Sequence, residues 1–308
     1  MKKILIISKL YIFTIFLLSC NSSENPLAYQ SNTHSRGKAS FMIDEAYRPL
    51  FETLEFTFEG QRPDANLSIK YTPENEAINA LFMDKIDMIC ISRELTKKEL
   101  AQLKRNRVEV VTEKLAKDAV ALIVNKENTD TNITVEEFKQ ILLGKTAQWP
   151  TSKNNISIVF DQANTANFNY CINLTNKAPL PKNVFSAKTN QGVIDYVKNN
   201  KNAIGIIGVN WISDEDDKKV LENLKGINVM RVAKTKNDAY LKPYQAYIFT
   251  DEYAFTRTIW LINKGKIDGL NSGFFNFCVR EKGQLIAHKA CLVPAFPPTR
   301  QLRITTEQ

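Results

Sequence analysis

Apolar residues along this chain recur with two periods, and the periods alternate. Leu67, Ile69 and Tyr71 recur at every second position, the mark of a half-buried strand. Leu50, Phe51, Leu54 and Phe58 recur at helical spacing, so Glu45–Phe58 reads as an amphipathic helix with Asp44 as its N-cap. Pro49 lies near its first turn, where proline is tolerated. A short strand over Ala39–Ile43 precedes it, and Pro73 separates the Leu67–Tyr71 strand from a helix over Glu74–Lys85. Met88–Ile91 is a short apolar strand running into Ser92-Arg93-Glu94, and Thr96 with Glu99 forms a capping box for the next helix. A strand at Val108–Val111 closes this first series. The order is β-α-β-α-β-α-β, the grammar of a parallel sheet with helices on its faces.

The second half repeats the grammar without repeating the sequence. Asp118–Asn125 is a continuous apolar strand, and Thr134 with Glu137 forms a second capping box for a helix running to Gly144. Ile156–Phe160 is the next strand, and the small polar run Asp161–Thr165 leads into a helix with Phe168, Cys171 and Ile172 on its apolar face. A helix over Gln191–Asn199, strands over Ala203–Ile207 and Thr258–Asn263, and a helix over Leu270–Glu281 follow. The class is α/β.

Composition is that of a globular protein: 308 residues, 44% hydrophobic and 10% aromatic, a length for two domains or one domain of two lobes. The N-terminus stands apart. Lys2 and Lys3 precede an apolar run, Ile4–Leu18, which ends in Leu17-Leu18-Ser19-Cys20 before the chain turns polar. Residues 1–20 are expected to be a lipoprotein signal peptide, with Cys20 the lipidated first residue of the mature chain; a plain N-terminal anchor or a secretory signal cut elsewhere is the alternative. Residues 21–36 read as a polar tether. Removal of Lys2, Lys3 and Lys9 lowers the formal charge from +8 to +5. The basic residues are scattered among acids, which speaks against nucleic acid as a partner. Only His34 and His288 are present, so neither a metal site nor a cofactor is expected, and no P-loop, G-x-S-x-G or HExxH signature marks an enzyme. Cys278 and Cys291 either pair or remain buried thiols.

The ordered set ISRELTKKEL, DAVALIVNKEN, ITVEEFKQILLGKTAQW, AIGIIGVNWI, RTIWLIN and the GQxxxxxxxLVPA tail resembles the phosphate-type (PstS-like) substrate-binding proteins of ABC importers, in their lipoprotein form. The resemblance runs from Gly37 to Ile304. It implies a two-lobed periplasmic-binding-protein (type II, Venus-flytrap) fold with two hinge-crossing strands. The lobes would be 37–122 and 263–308 for the first and 123–262 for the second, crossing at Ala119–Val124 and Thr258–Ile262. It further implies a small oxyanion ligand, phosphate favoured, an ABC permease as partner, and a monomer. The protein would be exported, facing the periplasm or anchored at the outer membrane or cell surface.

Helix N-termini and backbone N–H groups suit a dehydrated oxyanion. Four segments match the family's binding segments: Asp44-Glu45-Ala46, Thr72–Asn75, Ser92-Arg93 and Asp161–Ala166. The candidate ligand-binding residues are therefore Glu45, Ala46, Glu74, Asn75, Ser92, Arg93, Asp161, Asn164, Thr165 and Ala166. The chain also departs from the family here. Phe160 stands where the family has an Arg, Asn164-Thr165-Ala166 replaces a Ser-Gly-Thr-like turn, and Glu74 is unfavourable beside a dianion. Arg93 would restore one positive charge. The alternative is a non-transport lipoprotein, a sensor, adhesion or assembly subunit, that keeps the trap fold with an altered cleft. Glu74 and Glu76 also read as solvated first-turn acids, Arg257 as an exposed hinge charge or, alternatively, as reaching the cleft, Cys171 as core, and Trp149, Trp211 and Trp260 as packing residues.

Overall fold

The computed structural model describes residues 32–214, 216–265 and 268–297. Cys20, the signal segment and the tail from residue 298 lie outside the described residues, as does the tether up to residue 31. Residues 32–36 form a turn tied down by Asn32, whose side chain accepts from Leu270 N–H at 2.7 Å.

In chain order the elements begin with β1 (Gly37–Ile43), a single 3-10 turn at Glu45–Tyr47, α1 (Arg48–Gly60), β2 (Ala65–Tyr71), α2 (Glu74–Phe82), β3 (Met88–Ile91), α3 (Lys97–Arg105) and β4 (Val110–Asn125). Next come β5 (Asn132–Thr134), α4 (Val135–Leu142), β6 (Ser157–Phe160), α5 (Ala166–Leu174), β7 (Val184–Ser186), α6 (Asn190–Asn199) and β8 (Ala203–Gly208). The rest are α7 (Lys218–Leu224), β9 (Ile227–Val229), β10 (Arg231–Ala233), α8 (Gln245–Phe249), β11 (Thr256–Lys264), α9 (Leu270–Val279), α10 (Glu281–Lys289) and β12 (Val293–Pro294). This is the α/β, two-lobed fold that the motif order implied.

The long strand β4 organises both lobes. Its first part, Val110–Ala119, lies antiparallel to β11, which in turn pairs with β3 in the order β2-β1-β3-β11-β4. From Val120 onward β4 pairs instead with β8 and β9, and the sheet continues through β6 to β7. The exchange of partners falls between Ala119 and Val120, where Val120 N–H donates to Phe255 O at 2.9 Å. The sequence pattern suggested two strands, Val108–Val111 and Asp118–Asn125, with a gap between them. The gap is also strand: Thr112–Lys114 and Lys117 are polar and incompletely covered, Leu115 and Ala116 between them are buried, and neither Gly nor Pro interrupts the run.

Two other expected elements are divided. The helix expected over Glu45–Phe58 begins as a 3-10 turn before α1, because Asp44 caps Ala46 N–H and the regular helix starts only beside Pro49. The helix expected over Leu270–Glu281 ends at Val279; Arg280 is extended, and α10 starts immediately after it. Both capping boxes form as read, Thr96 with Glu99 and Thr134 with Glu137.

Strand alternation sorts the first lobe's core onto two faces. Phe41, Ile43, Met88 and Cys90 face α1, α9 and α10, where Phe274 packs 5.2 Å from Phe41 and from Phe58 between ring centroids. Met42, Ile89 and Ile91 face α2 and α3. In the second lobe Ile123, Val159 and Ile207 pack against Val193, Ile194 and Val197 of α6. Cys278 is a buried free thiol, so no Cys278–Cys291 bridge forms; Cys171 is likewise core. Trp149 is buried, with its indole N–H bonded to Asn202 O, and Trp260 is half-buried beneath Lys114.

Candidate functional site

The carboxyl ends of β1 and β3 and the N-terminus of α2 face the N-termini of α5 and α6 across the interlobe cleft. Strand ends and helix N-termini converge there because parallel strands with crossover helices leave every βα loop on the same edge. Asp44, at the end of β1, is fully buried. Its Oδ1 accepts from Ala46 N–H at 3.0 Å, and its Oδ2 reaches the other lobe to accept from Ala166 N–H, the first residue of α5, at 2.9 Å.

Glu45 repeats the arrangement one helix further on. Its Oε2 accepts from the N–H of Asn190 at 2.9 Å and also from the Asn190 side-chain amide, while Oε1 lies 3.4 Å from Arg48. Ala46 contributes its carbonyl, which accepts from Asn210 Nδ2 at 2.8 Å and from Trp211 Nε1 at 3.1 Å. Trp211 is thus an interlobe clamp as well as a packing residue. Gly208 permits this approach: a Cβ there would lie 3.0 Å from Ala46 O and 3.3 Å from Arg257 Nη2.

Glu74 is fully buried, which rules out the solvated first-turn reading; Glu76 does remain exposed, paired with Lys70. One Glu74 oxygen accepts from Ser92 N–H and the other from Asn169 Nδ2 of α5 at 3.0 Å. Asp161 is also fully buried. It accepts from Thr165 Oγ1 at 2.7 Å, while Thr165 caps α5, and from Asn190 Nδ2 at 3.1 Å. Asn164 adopts φ 65°, a left-handed conformation asparagine tolerates, and is exposed. Asn75 is exposed as well. Arg93 makes a two-pronged ion pair with Glu99 at 2.8 Å for each prong, so its charge is spent on the α3 capping box.

Of the ten candidates, Glu45, Ala46, Glu74, Ser92, Asp161, Thr165 and Ala166 are therefore brought to the cleft; Arg93 turns to Glu99, and Asn75 and Asn164 are exposed. Sequence reasoning passed over Asn169, Asn190, Asn210 and the indole of Trp211, all amide or indole donors on the second lobe. The available signals were Thr189 as a cap before Asn190 and the Gly-x-Asn-Trp run after β8. It also missed a buried ion pair below the cleft. Arg257 is not an exposed hinge charge: Nε and Nη2 lie 2.8 and 2.7 Å from Asp118 Oδ2, and the guanidinium covers the Tyr47 ring at 5.2 Å.

The electrostatics follow from this crowding of acids. Burial pushes the Asp44 carboxyl well above its ordinary value, and the nearby charges of Glu74 and Asp161 push the same way. Burial likewise raises Glu45 to about 7, against the bonds from Asn190, and Asp161 to about 6, against the bond from Thr165. Each cleft donor named above already holds an oxygen, and three of those acceptors are carboxylates of the first lobe.

A family model described as the PBP superfamily domain matches residues 28–282. The phosphate-binding protein PstS of Staphylococcus aureus strain USA300 is 24% identical over 283 residues, covering 88% of this chain and 82% of that protein. A candidate phosphate ABC transporter substrate-binding protein from Clostridium perfringens, solved with bound phosphate, superposes with a TM-score of 0.72 at 18% identity, over 84% of this chain and all of that one. An ABC-type phosphate transport receptor from Vibrio cholerae superposes with a TM-score of 0.63 at 17% identity, over 83% of this chain and 99% of its own. The resemblance read from motif order is borne out, and with it the fold.

Proposed function

The chain belongs to the PBP superfamily domain family, and from that premise we propose that it is a non-catalytic solute-binding protein whose interlobe cleft takes phosphate or a related small oxyanion. In this reading the protein is held at a membrane by a lipid on Cys20 and passes its ligand to an ABC permease. The lobes divide as 37–122 with 263–308 and 123–262. The exchange of partners along β4 supports a division on that strand but falls after Ala119, three residues before the proposed bound, and β11 from Thr256 pairs within the first lobe's sheet. Closure would be a hinge motion absorbed near that exchange and near Phe255, before β11 begins.

One observation carries the oxyanion reading. Ser92 N–H, Ala166 N–H and Asn190 N–H, two of them at helix N-termini, are each bonded to a carboxylate oxygen. They are donors oriented for oxyanions, and phosphate presents the same kind of acceptor. The test is a thermal-shift titration of the purified protein with phosphate, with sulfate as the comparison. A ligand that binds only the folded state stabilises by mass action, by about 2.7 kcal/mol at a hundredfold excess over Kd. A saturable rise with phosphate is the expected result; a flat response to both anions up to 10 mM refutes this reading.

A second reading has its own observation. The same donors are filled by the chain's own acids, which favours a trap fold whose cleft has lost its original ligand and serves as a sensor, adhesion or assembly subunit. Cross-linking that recovers a partner other than a permease, together with the flat titration, would decide for it.

A further inference from the structure

We infer that Glu74, with Asp44 and Glu45 beside it, is a built-in oxyanion that closes this cleft without ligand, and that an incoming phosphate binds only by displacing the Glu74 carboxylate. The proposal rests on the oxyanion reading above and adds to it a residue that sets specificity and a route of entry.

Three features carry it. First, the cleft bonds join lobes rather than neighbours: Asp44 to Ala166, Glu45 to Asn190, and Glu74 to Asn169 each run from the first lobe to the second. Second, Glu74 holds a backbone donor and a second-lobe side chain at once, one on each oxygen, as a bound oxyanion would. Third, among the described residues no cation is ion-paired with it, although the Arg93 charge acts on it from nearby. Arg93 nearby is engaged with Glu99, Arg257 is engaged with Asp118, and the other charges facing this region from β1 and β6 are the acids Asp44 and Asp161. A phosphate dianion added to this set meets the acids Asp44, Glu74 and Asp161, while Arg93 and Arg257 are already paired with acids of their own. One that takes the place of Glu74 inherits its donors.

Glu74 differs from its partners in how it can leave. Asp44 is fixed by Ala46 N–H within its own turn as well as by Ala166. Glu74 sits on the first turn of α2 with no bond to its own helix among its cleft contacts, and rotation of its side chain releases Ser92 N–H and Asn169 together.

The experiment compares the purified full-length protein in detergent with Glu74→Gln and Glu74→Ser. Phosphate binding is followed by calorimetry, and closure by the emission of Trp211, whose indole bonds to Ala46 across the cleft; Trp211→Phe backgrounds isolate its signal. The expected result is phosphate affinity at least tenfold tighter in both variants, with Trp211 emission red-shifted before ligand is added. Equal phosphate affinity in wild type and variants overturns the proposal and leaves the oxyanion reading standing. If neither binds phosphate, that reading fails, and Trp211 alone decides. A ligand-free red shift in the variants supports self-closure, and unchanged emission overturns it. Circular dichroism checks folding. Should Glu74→Gln and Glu74→Ser fail to fold, Asn169→Ala removes only the second-lobe end of the Glu74 contact and carries the same two expectations.

Discussion

Replacing Arg257 with Met tests the electrostatics beneath the cleft. Arg257 and Asp118 are 3% and 0% exposed at the side chain and face each other in the β4–β11 register. Removing one partner of a buried pair leaves an uncompensated charge, which typically costs about 3–5 kcal/mol. The arrangement narrows that range. Asp118 would remain fully buried without its cation, and burial already raises its pKa against the pull of Arg257. Without Arg257 its cheapest course is to take up a proton. The cost of doing so at pH 7, from an unfolded value of about 3.9, is about 4 kcal/mol, which sets a ceiling on the Asp118 contribution.

That escape gives the prediction its signature. The folded pKa of Asp118 in Arg257→Met lies above the unfolded one, so the neutral acid is the folded form's preferred state. The loss of stability must then grow as pH rises and shrink by about 1.4 kcal/mol per unit as pH falls from 7 toward 5. Urea denaturation of wild type and Arg257→Met at pH 5, 6 and 7 measures it. Asp118→Asn should cost less, because the remaining guanidinium still faces Asp44 and Asp161. A double replacement, Arg257→Met with Asp118→Leu, should recover most of the loss. A destabilisation below about 1 kcal/mol, or one that does not change with pH, would refute the reasoning.

Wild-type stability should also depend on pH in a stated direction. Glu45 at about 7 and Asp161 at about 6 both lie above their ordinary values, so their contribution is complete below pH 4 and is lost as pH rises through 6 and 7, by about 3 kcal/mol from Glu45 alone. Glu99, lowered to about 2 by Arg93, acts oppositely but only in acid, below pH 4.5. Denaturation midpoints at pH 5 and 8 settle the sign; a higher midpoint at pH 8 would contradict it. Phe274→Ala removes a ring in contact with Phe41, Phe51, Phe58 and Phe277 and should cost about 3–5 kcal/mol in the same assay, whatever the pH. Thr165→Ala deletes the α5 cap and the Asp161 contact, and a loss of about 1–2 kcal/mol is expected by denaturation.

What could be read from the sequence was what neighbouring residues decide. The capping boxes depend on residues three apart, and the strand and helix periods depend on runs of ten, so these signals survive without knowledge of the fold. Glu74 shows the limit. As a first-turn acid it is favourable with the helix dipole, and nothing within α2 says that it is buried. Its two partners lie 18 and 95 residues away. Arg257 is the same case on a longer span: its partner is 139 residues distant and is fixed only by the register of β11 on β4. The stretch Thr112–Lys117 of β4 misled for a related reason, since alternation describes burial, and here three incompletely covered residues precede the adjacent buried pair Leu115–Ala116.

The clamp between the lobes is one-sided, and that asymmetry has a consequence for any ligand. On the first lobe the bonded groups are acceptors: the carboxylates of Asp44, Glu45 and Glu74 and the carbonyl of Ala46. On the second lobe they are donors: Ala166 N–H, Asn169, Asn190, Asn210 and the Trp211 indole. Complementary sets of this kind need no bridging ion to close, because every acceptor already has its donor. An oxyanion brings acceptors only. It cannot add to the clamp through Ala166, Asn169, Asn190, Asn210 or Trp211, since these donors are engaged; there it can only take over donors that the first lobe now holds, while Arg257 Nη1 is buried without a partner. Exchange is neutral in hydrogen bonds and, for a dianion, adds one negative charge, whereas addition would bury both of its charges among Asp44, Glu45 and Asp161, whose pKa values burial already raises. Ligand selection in this cleft is therefore a competition with its own carboxylates, and the side chain easiest to displace decides what can enter.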